Sequence, residues 1–116
     1  MKPLFWVASA TKDLVEMPDA VIDVMGYALY LAQNGLKHRQ SKALKGFGSA
    51  TVMEIVEEYE GNTYRAIYTV KFTNGIYVLH CFQKKSRRNS ETSKGDMEIV
   101  FSRLTMARLH SEGASK

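Results

Sequence analysis

The sequence has little cysteine, little proline and no long apolar run. Its 116 residues include one cysteine and two prolines. Because Cys81 is the only cysteine, an internal disulfide is excluded. It lies within an apolar, strand-like segment, which predicts a buried thiol in a reducing compartment rather than a catalytic one. No apolar run reaches about 18 residues and the N-terminus lacks the pattern of a secretory signal. We therefore expect a cytoplasmic protein with no membrane contact.

Several kinds of chemical site also lack their signals. The histidines His38, His80 and His110 are scattered, with no CxxC or HExxH motif near them, so no metal site is expected. The glycines match neither of two phosphate-binding patterns, the GxxxxGK[ST] loop and the GxGxxG turn between a strand and a helix, and no cofactor is predicted. A nucleophile elbow of the GxSxG type is absent, although a catalytic triad assembled from distant residues is not excluded by sequence.

The composition that is present fits one globular domain spanning residues 1–116, with a flexible loop at 89–95 and a frayed tail at 111–116. Hydrophobic residues make up 45% of the chain and the formal net charge is +4. Six Lys and Arg residues fall in 1–60 and ten in 61–116. This asymmetry is consistent with a polyanionic partner.

Periodicity predicts an α+β fold. Strands are predicted at residues 4–8, 51–59, 64–72 and 76–82, because aromatic and β-branched residues alternate or cluster there. A short helix should end near Glu16, and a second should run from Pro18 to Asn34-Gly35. Residues 36–50 are predicted to form a loop that carries Lys42 and Lys45, either solvated or in contact with phosphate. A final amphipathic helix from Asp96 should pack on the sheet or on a partner.

The most informative stretch is the pair of strands around Asn74-Gly75. This dipeptide between apolar runs predicts a two-residue hairpin with a type I′ turn. Counting outward from the turn places Arg65 opposite Lys84. Alternation puts Tyr64, Ala66 and Tyr68 on the core face, so Arg65 is expected on the opposite, more polar face.

These residues together resemble the phage-derived Gp49-like, HigB-type branch of the RelE/ParE toxin superfamily. The resemblance rests on YRAIY at 64–68, LHCF at 79–82 and KKS at 84–86. It extends through LKGFG at 44–48, VMEIV at 52–56 and the closing helix, over about residues 3–110. No one of these motifs is specific alone, but their order is.

The resemblance implies a small antiparallel sheet, mixed at its edge, with two N-terminal helices on one face, a cationic concave surface on the other and a C-terminal helix. It further implies a toxin of a type II toxin-antitoxin system that cleaves mRNA on the ribosome and is neutralised by a helix-turn-helix antitoxin. Cleavage would proceed by attack of the ribose 2′-OH on the adjacent phosphate, a transition state that fixed cations stabilise.

Under this resemblance Arg65 would clamp the phosphate, since guanidinium binds phosphate bidentately. Lys84 and Lys85 would bind the scissile region, and one of them would transfer a proton. His80 is either a buried, hydrogen-bonded histidine or an acid/base group, and Tyr77 is a candidate for stacking on a base. Arg87 and Arg88 would hold ribosomal RNA, and Lys71, Lys42 and Lys45 complete the predicted nucleic-acid contacts.

Two other functions use the same scaffold. A ParE-like protein would poison DNA gyrase by protein contact, and a phage-derived binding module would bind its partner without catalysis. The acidic and tyrosine positions that some members place near the C-terminus have no secure counterpart here, and Asp96 is no more than a candidate stand-in. The sequence does not specify the codon cleaved, the identity of the antitoxin or the oligomeric state.

Overall fold

The computed structural model describes residues 1–84 and 92–114 and contains the α+β architecture predicted from the sequence. Five strands form one sheet in the order β1-β5-β4-β3-β2. β1 runs parallel to β5 and the other neighbours are antiparallel, so the mixed edge is confirmed. The elements are β1 (Leu4–Trp6), α1 (Ala10–Val15), α2 (Asp19–Gln33), β2 (Ser41–Ala43), β3 (Val52–Tyr59), β4 (Asn62–Thr69), β5 (Ile76–Lys84) and α3 (Lys94–Ala114).

The sheet is covered by helices on both faces. Leu14 of α1 and Met25 of α2 belong to one apolar cluster with Ile55 and Tyr68. Val100 of α3 belongs to a second cluster with strand residues of the opposite face. The closing helix therefore packs on the sheet, the first of the two predicted alternatives. The prediction that Arg65 faces a polar surface is wrong, because its face is the one that α3 covers.

Local sequence sets the ends of α2. Pro18 precedes the first helical residue, where its missing N–H costs no hydrogen bond. At the other end Gly35 has φ +76°, its N–H donates to the Ala32 carbonyl and the Leu36 N–H donates to the Leu31 carbonyl. This is a Schellman motif, which favours glycine because L side chains disfavour positive φ. It turns the chain back along the helix.

The two hairpins have different turns, and the second differs from the prediction. The two-residue turn lies between β3 and β4, where Glu60 and Gly61 have φ values of 49° and 80° and Tyr59 pairs with Asn62. This is the geometry of a type I′ turn. Residues 70–75 separate β4 from β5, and neither Asn74 nor Gly75 is among the residues with positive φ. The predicted type I′ turn at Asn74-Gly75 is therefore wrong.

The register between β4 and β5 differs as a result. Ile67 pairs with His80 and Tyr68 with Val78, which leaves Leu79 as the extra residue of a bulge. Arg65 lies opposite Phe82, and Lys84 lies opposite Thr63. The predicted Arg65–Lys84 pair is thus wrong, because the longer loop and the bulge together shift the strands. Both residues still share a face as diagonal neighbours.

A short edge strand lies within the segment predicted to be a loop. β2 pairs with β3 through Ser41–Ile55, Lys42–Glu54 and Ala43–Met53. Three residues are too few for alternation to be detected in the sequence.

Among the described residues, no helix is long and apolar enough to cross a membrane.

Candidate functional site

Arg65 forms a buried ion pair with Glu54 on the α3 side of the sheet. The guanidinium Nη1 donates to Glu54 Oε2 over 2.9 Å and lies 3.2 Å from the Thr92 hydroxyl oxygen, to which it also donates. Arg65 is only 4% exposed, as is Glu54. The two residues are held on β4 and β3, neighbouring strands of a rigid sheet, so the guanidinium is fixed in place.

A second polar group lies where α3 begins. His80 Nε2 is 2.8 Å from Asp96 Oδ1, and the Ser93 hydroxyl donates to the other carboxylate oxygen over 2.7 Å. Ser93 also accepts from the Asp96 N–H, so the pair caps the first turn of α3. An ionised carboxylate can only accept, so His80 Nε2 carries the proton that is donated to Asp96.

The other ring nitrogen, Nδ1, is the unusual feature of His80. The residue is buried, and Nδ1 has no hydrogen-bond partner within the described part of the chain. The ring stacks on Phe82, with centroids 4.5 Å apart, and Phe82 is the cross-strand partner of Arg65. His80 and Arg65 are therefore diagonal neighbours on one face. An imidazole oriented by a carboxylate is the arrangement found in many general bases.

An open groove of about 310 Å³ lies beside Glu54 and Thr92, which both accept hydrogen bonds from Arg65 Nη1. Lys42 Nζ lies 3.6 Å from the second oxygen of Glu54, so Glu54 joins the groove to Arg65. Lys42 and Lys45, which are predicted from the sequence to contact nucleic acid, both line the groove. Its other lining residues are Ala43, Leu44, Gly46, Glu54, Thr92 and Met97.

We call these residues the Arg65 site: Lys42, Lys45, Glu54, Arg65, His80, Phe82, Thr92, Ser93 and Asp96. The site combines a fixed guanidinium, a buried histidine oriented by a carboxylate and two lysines at an open rim. Such a set can bind an anion and accept a proton from a neighbouring hydroxyl.

The remaining residues that the sequence predicts for the site do not all lie near Arg65. Lys84 shares the face of Arg65, opposite Thr63. Tyr77 is 1% exposed, stacks on Phe5 and bonds through its hydroxyl to His110 Nδ1 over 2.7 Å. Its ring is part of the core, and we assign it no contact with a base. Lys71 follows the far end of β4, away from Arg65 and Lys84. Lys85, Arg87 and Arg88 lie outside the described residues.

Sequence reasoning missed Glu54 as a site residue. It lies between Met53 and Ile55 in β3 and is in phase with Val52 and Val56. A carboxylate in phase with apolar residues is a signal of a buried, paired charge, because an unpaired one would be costly. Thr92 carried no signal, since its role depends on the position of α3. Asp96 was noted only as a stand-in for an acidic group.

Together the fold and the site define a small α+β domain with a buried, ion-paired guanidinium beside a cationic groove. A comparison with known families matches residues 12–105 to the family described as phage derived protein Gp49-like (DUF891). The chain belongs to this Gp49-like family, which is related to the RelE and HigB toxins. No curated protein and no solved structure matches the chain significantly.

Proposed function

We propose that the chain is the toxin of a type II toxin-antitoxin system and cleaves mRNA on the ribosome. The observation that carries the proposal is that Arg65 and the carboxylate-oriented His80 are diagonal neighbours on one sheet face, beside a lysine-lined groove. Family membership supports the class of protein. A helix-turn-helix antitoxin and ribosomal RNA are the partners that this function implies.

In the proposed reaction His80 Nδ1 accepts the proton of a ribose 2′-OH. The 2′-oxygen forms a bond to the adjacent phosphorus and the bond from phosphorus to the 5′-oxygen breaks. The leaving 5′-oxygen takes a proton from the ammonium group of Lys84 or Lys85. The products are a 2′,3′-cyclic phosphate and a 5′-hydroxyl. Arg65 stabilises the charge on the phosphoryl oxygens, with one of them replacing Thr92 on Nη1. Lys42, Lys45, Lys84 and Lys85 bind the flanking backbone.

The second candidate is a binding module without catalysis. One observation favours it: Arg65 is buried and already neutralised by Glu54. A guanidinium in that state could serve stability alone, in which case the groove would bind a partner without cleaving it. The ParE-like alternative has no such specific support.

Induced expression in a bacterial host separates these functions. The wild-type chain should arrest growth and produce mRNA cuts, mapped by sequencing 5′-hydroxyl ends, before any DNA breaks appear. His80→Gln keeps a donor toward Asp96 but removes the basic nitrogen, so we expect cleavage to fall by about 10²–10⁴-fold. The Lys84→Ala/Lys85→Ala double variant should also lose cleavage.

Arg108→Ala is the matched control, because Arg108 is an exposed cation of α3 that pairs only locally with Glu112. It should keep full toxicity. Arrest with DNA breaks and intact mRNA would instead indicate a gyrase poison. Neither arrest nor cleavage, with partner binding intact, would indicate the binding module.

A further inference from the structure

A second surface of the molecule has the composition of a nucleic-acid contact and lies away from the Arg65 site. Tyr27 and Tyr30, on the outer side of α2, are 56% and 52% exposed. Their rings are 6.5 Å apart at an interplanar angle of 22°, and the His38 ring meets Tyr27 edge-on at 5.7 Å. Lys37 and Arg39, both exposed, flank His38 in the chain. We call these five residues the α2 patch.

The patch is held rigidly by the segment that follows α2. The Schellman motif at Gly35 returns the chain beside the helix. Gln40 then fixes the segment to β3, since its side-chain amide donates to the Val56 carbonyl and to Glu57 Oε1. The Gln40 N–H donates to His38 Nδ1 over 3.0 Å, which orients the imidazole and leaves Nε2 as its donor. The aromatic row is therefore preorganised.

Exposed aromatic rings with adjacent cations suit unpaired nucleotides. Bases stack on Tyr and His rings whatever their sequence, and Lys and Arg attract the phosphates that connect them. A protein partner of acidic character would need the cations but not a row of rings. The patch ends at Asp23, one turn before Tyr27, where a carboxylate repels phosphate.

We infer that the α2 patch binds single-stranded RNA by stacking on Tyr27 and Tyr30, with Lys37 and Arg39 holding the backbone. α2 packs on the sheet face opposite α3, so this surface is separate from the Arg65 site. The inference goes beyond the proposed mRNA cleavage and does not depend on it. A chain that only bound RNA would use the patch in the same way.

The test uses the full chain and a labelled 2′-O-methyl oligouridine of about 12 nucleotides, long enough for a typical single-strand site. This RNA cannot be cut by 2′-OH attack, so binding is read by fluorescence anisotropy without catalysis. Tyr27→Ala/Tyr30→Ala should raise the Kd about fivefold or more, and Tyr27→Phe/Tyr30→Phe should stay near the wild type. Lys37→Ser/Arg39→Ser should lower the slope of log Kd against log salt by about 1 to 1.5.

The matched control is Met106→Ala/Leu109→Ala, which removes two exposed apolar residues from α3. Its Kd should lie close to that of the wild type, and circular dichroism should show every variant folded. Unchanged RNA binding in Tyr27→Ala/Tyr30→Ala would overturn the inference. So would an equal loss in the control or in the phenylalanine variant. His80→Gln, which tests the cleavage mechanism, should bind this RNA normally, so failure of one proposal is distinguishable from failure of the other.

Discussion

The residue on which the site depends most is Arg65, because its charge is both buried and paired. Removing one member of a buried ion pair leaves the other charge without compensation. Arg65→Ala should therefore lower the free energy of unfolding by about 3–5 kcal/mol, with Lys42 only partly compensating Glu54. Urea denaturation monitored by circular dichroism measures the change.

The double variant Arg65→Met/Glu54→Leu is the informative control. Apolar replacement of a whole buried pair is often neutral or stabilising, so this variant should recover most of the lost stability. It should still lack mRNA cleavage if Arg65 binds the phosphate. A loss below about 1 kcal/mol in Arg65→Ala would show that the pair is more hydrated than its burial indicates.

At the scale of elements, Gly75 lies immediately before β5 and packs closely against the parallel strand β1. A Cβ built on Gly75 would lie 2.6 Å from Phe5 Cε2 and 2.9 Å from the Pro3 carbonyl oxygen. Glycine is thus needed for close approach, not for positive φ. Because a backbone oxygen cannot move as a side chain does, Gly75→Ala should destabilise the protein by about 1–3 kcal/mol.

Gly26 provides the matched control within the same chain. It lies in α2, and a Cβ there would meet nothing within 4 Å. Gly26→Ala should raise stability by about 0.5–1 kcal/mol, because alanine is the better helix former. Melting temperatures of the two variants should move in opposite directions. If both moved upward, the packing of Phe5 over Gly75 would be looser than described.

Gly75 also shows why the sequence predicted the elements better than their register. Alternation and helix signals located both N-terminal helices, the longer strands and the closing helix, since each depends on local periodicity. Asn74-Gly75 has the sequence of a type I′ turn, yet the contact with Phe5 explains its glycine. Contacts between residues 70 positions apart leave no local pattern. The phase of Glu54 with Val52 and Val56 signals burial, but its partner Arg65 lies in the next strand and leaves no local pattern.

At the scale of the whole molecule, helices on both faces keep the sheet from water. Cys81 and Tyr68 lie in the cluster under α1 and α2. Burial, reinforced by Asp13 and partly offset by Arg103, raises the pKa of the Cys81 thiol to about 12, from an ordinary value of 9.0. Burial likewise raises the pKa of Tyr68. Both groups keep their protons in the folded state under conditions where the unfolded chain would lose them.

The fold should consequently lose stability as the solution becomes alkaline. Above pH 9 the unfolded chain releases the Cys81 proton and the folded chain does not, so unfolding is favoured as pH rises toward 12. The free energy of unfolding should fall by up to about 1.4 kcal/mol per pH unit in this window. Urea titrations under reducing conditions at pH 7.5, 8.5, 9.5 and 10 measure the slope about the thiol's ordinary pKa. Cys81→Ala removes the titrating group, so its slope should be shallower than that of the wild type. Parallel slopes would mean that the thiol ionises equally in both states, which would contradict its burial between the sheet and α1.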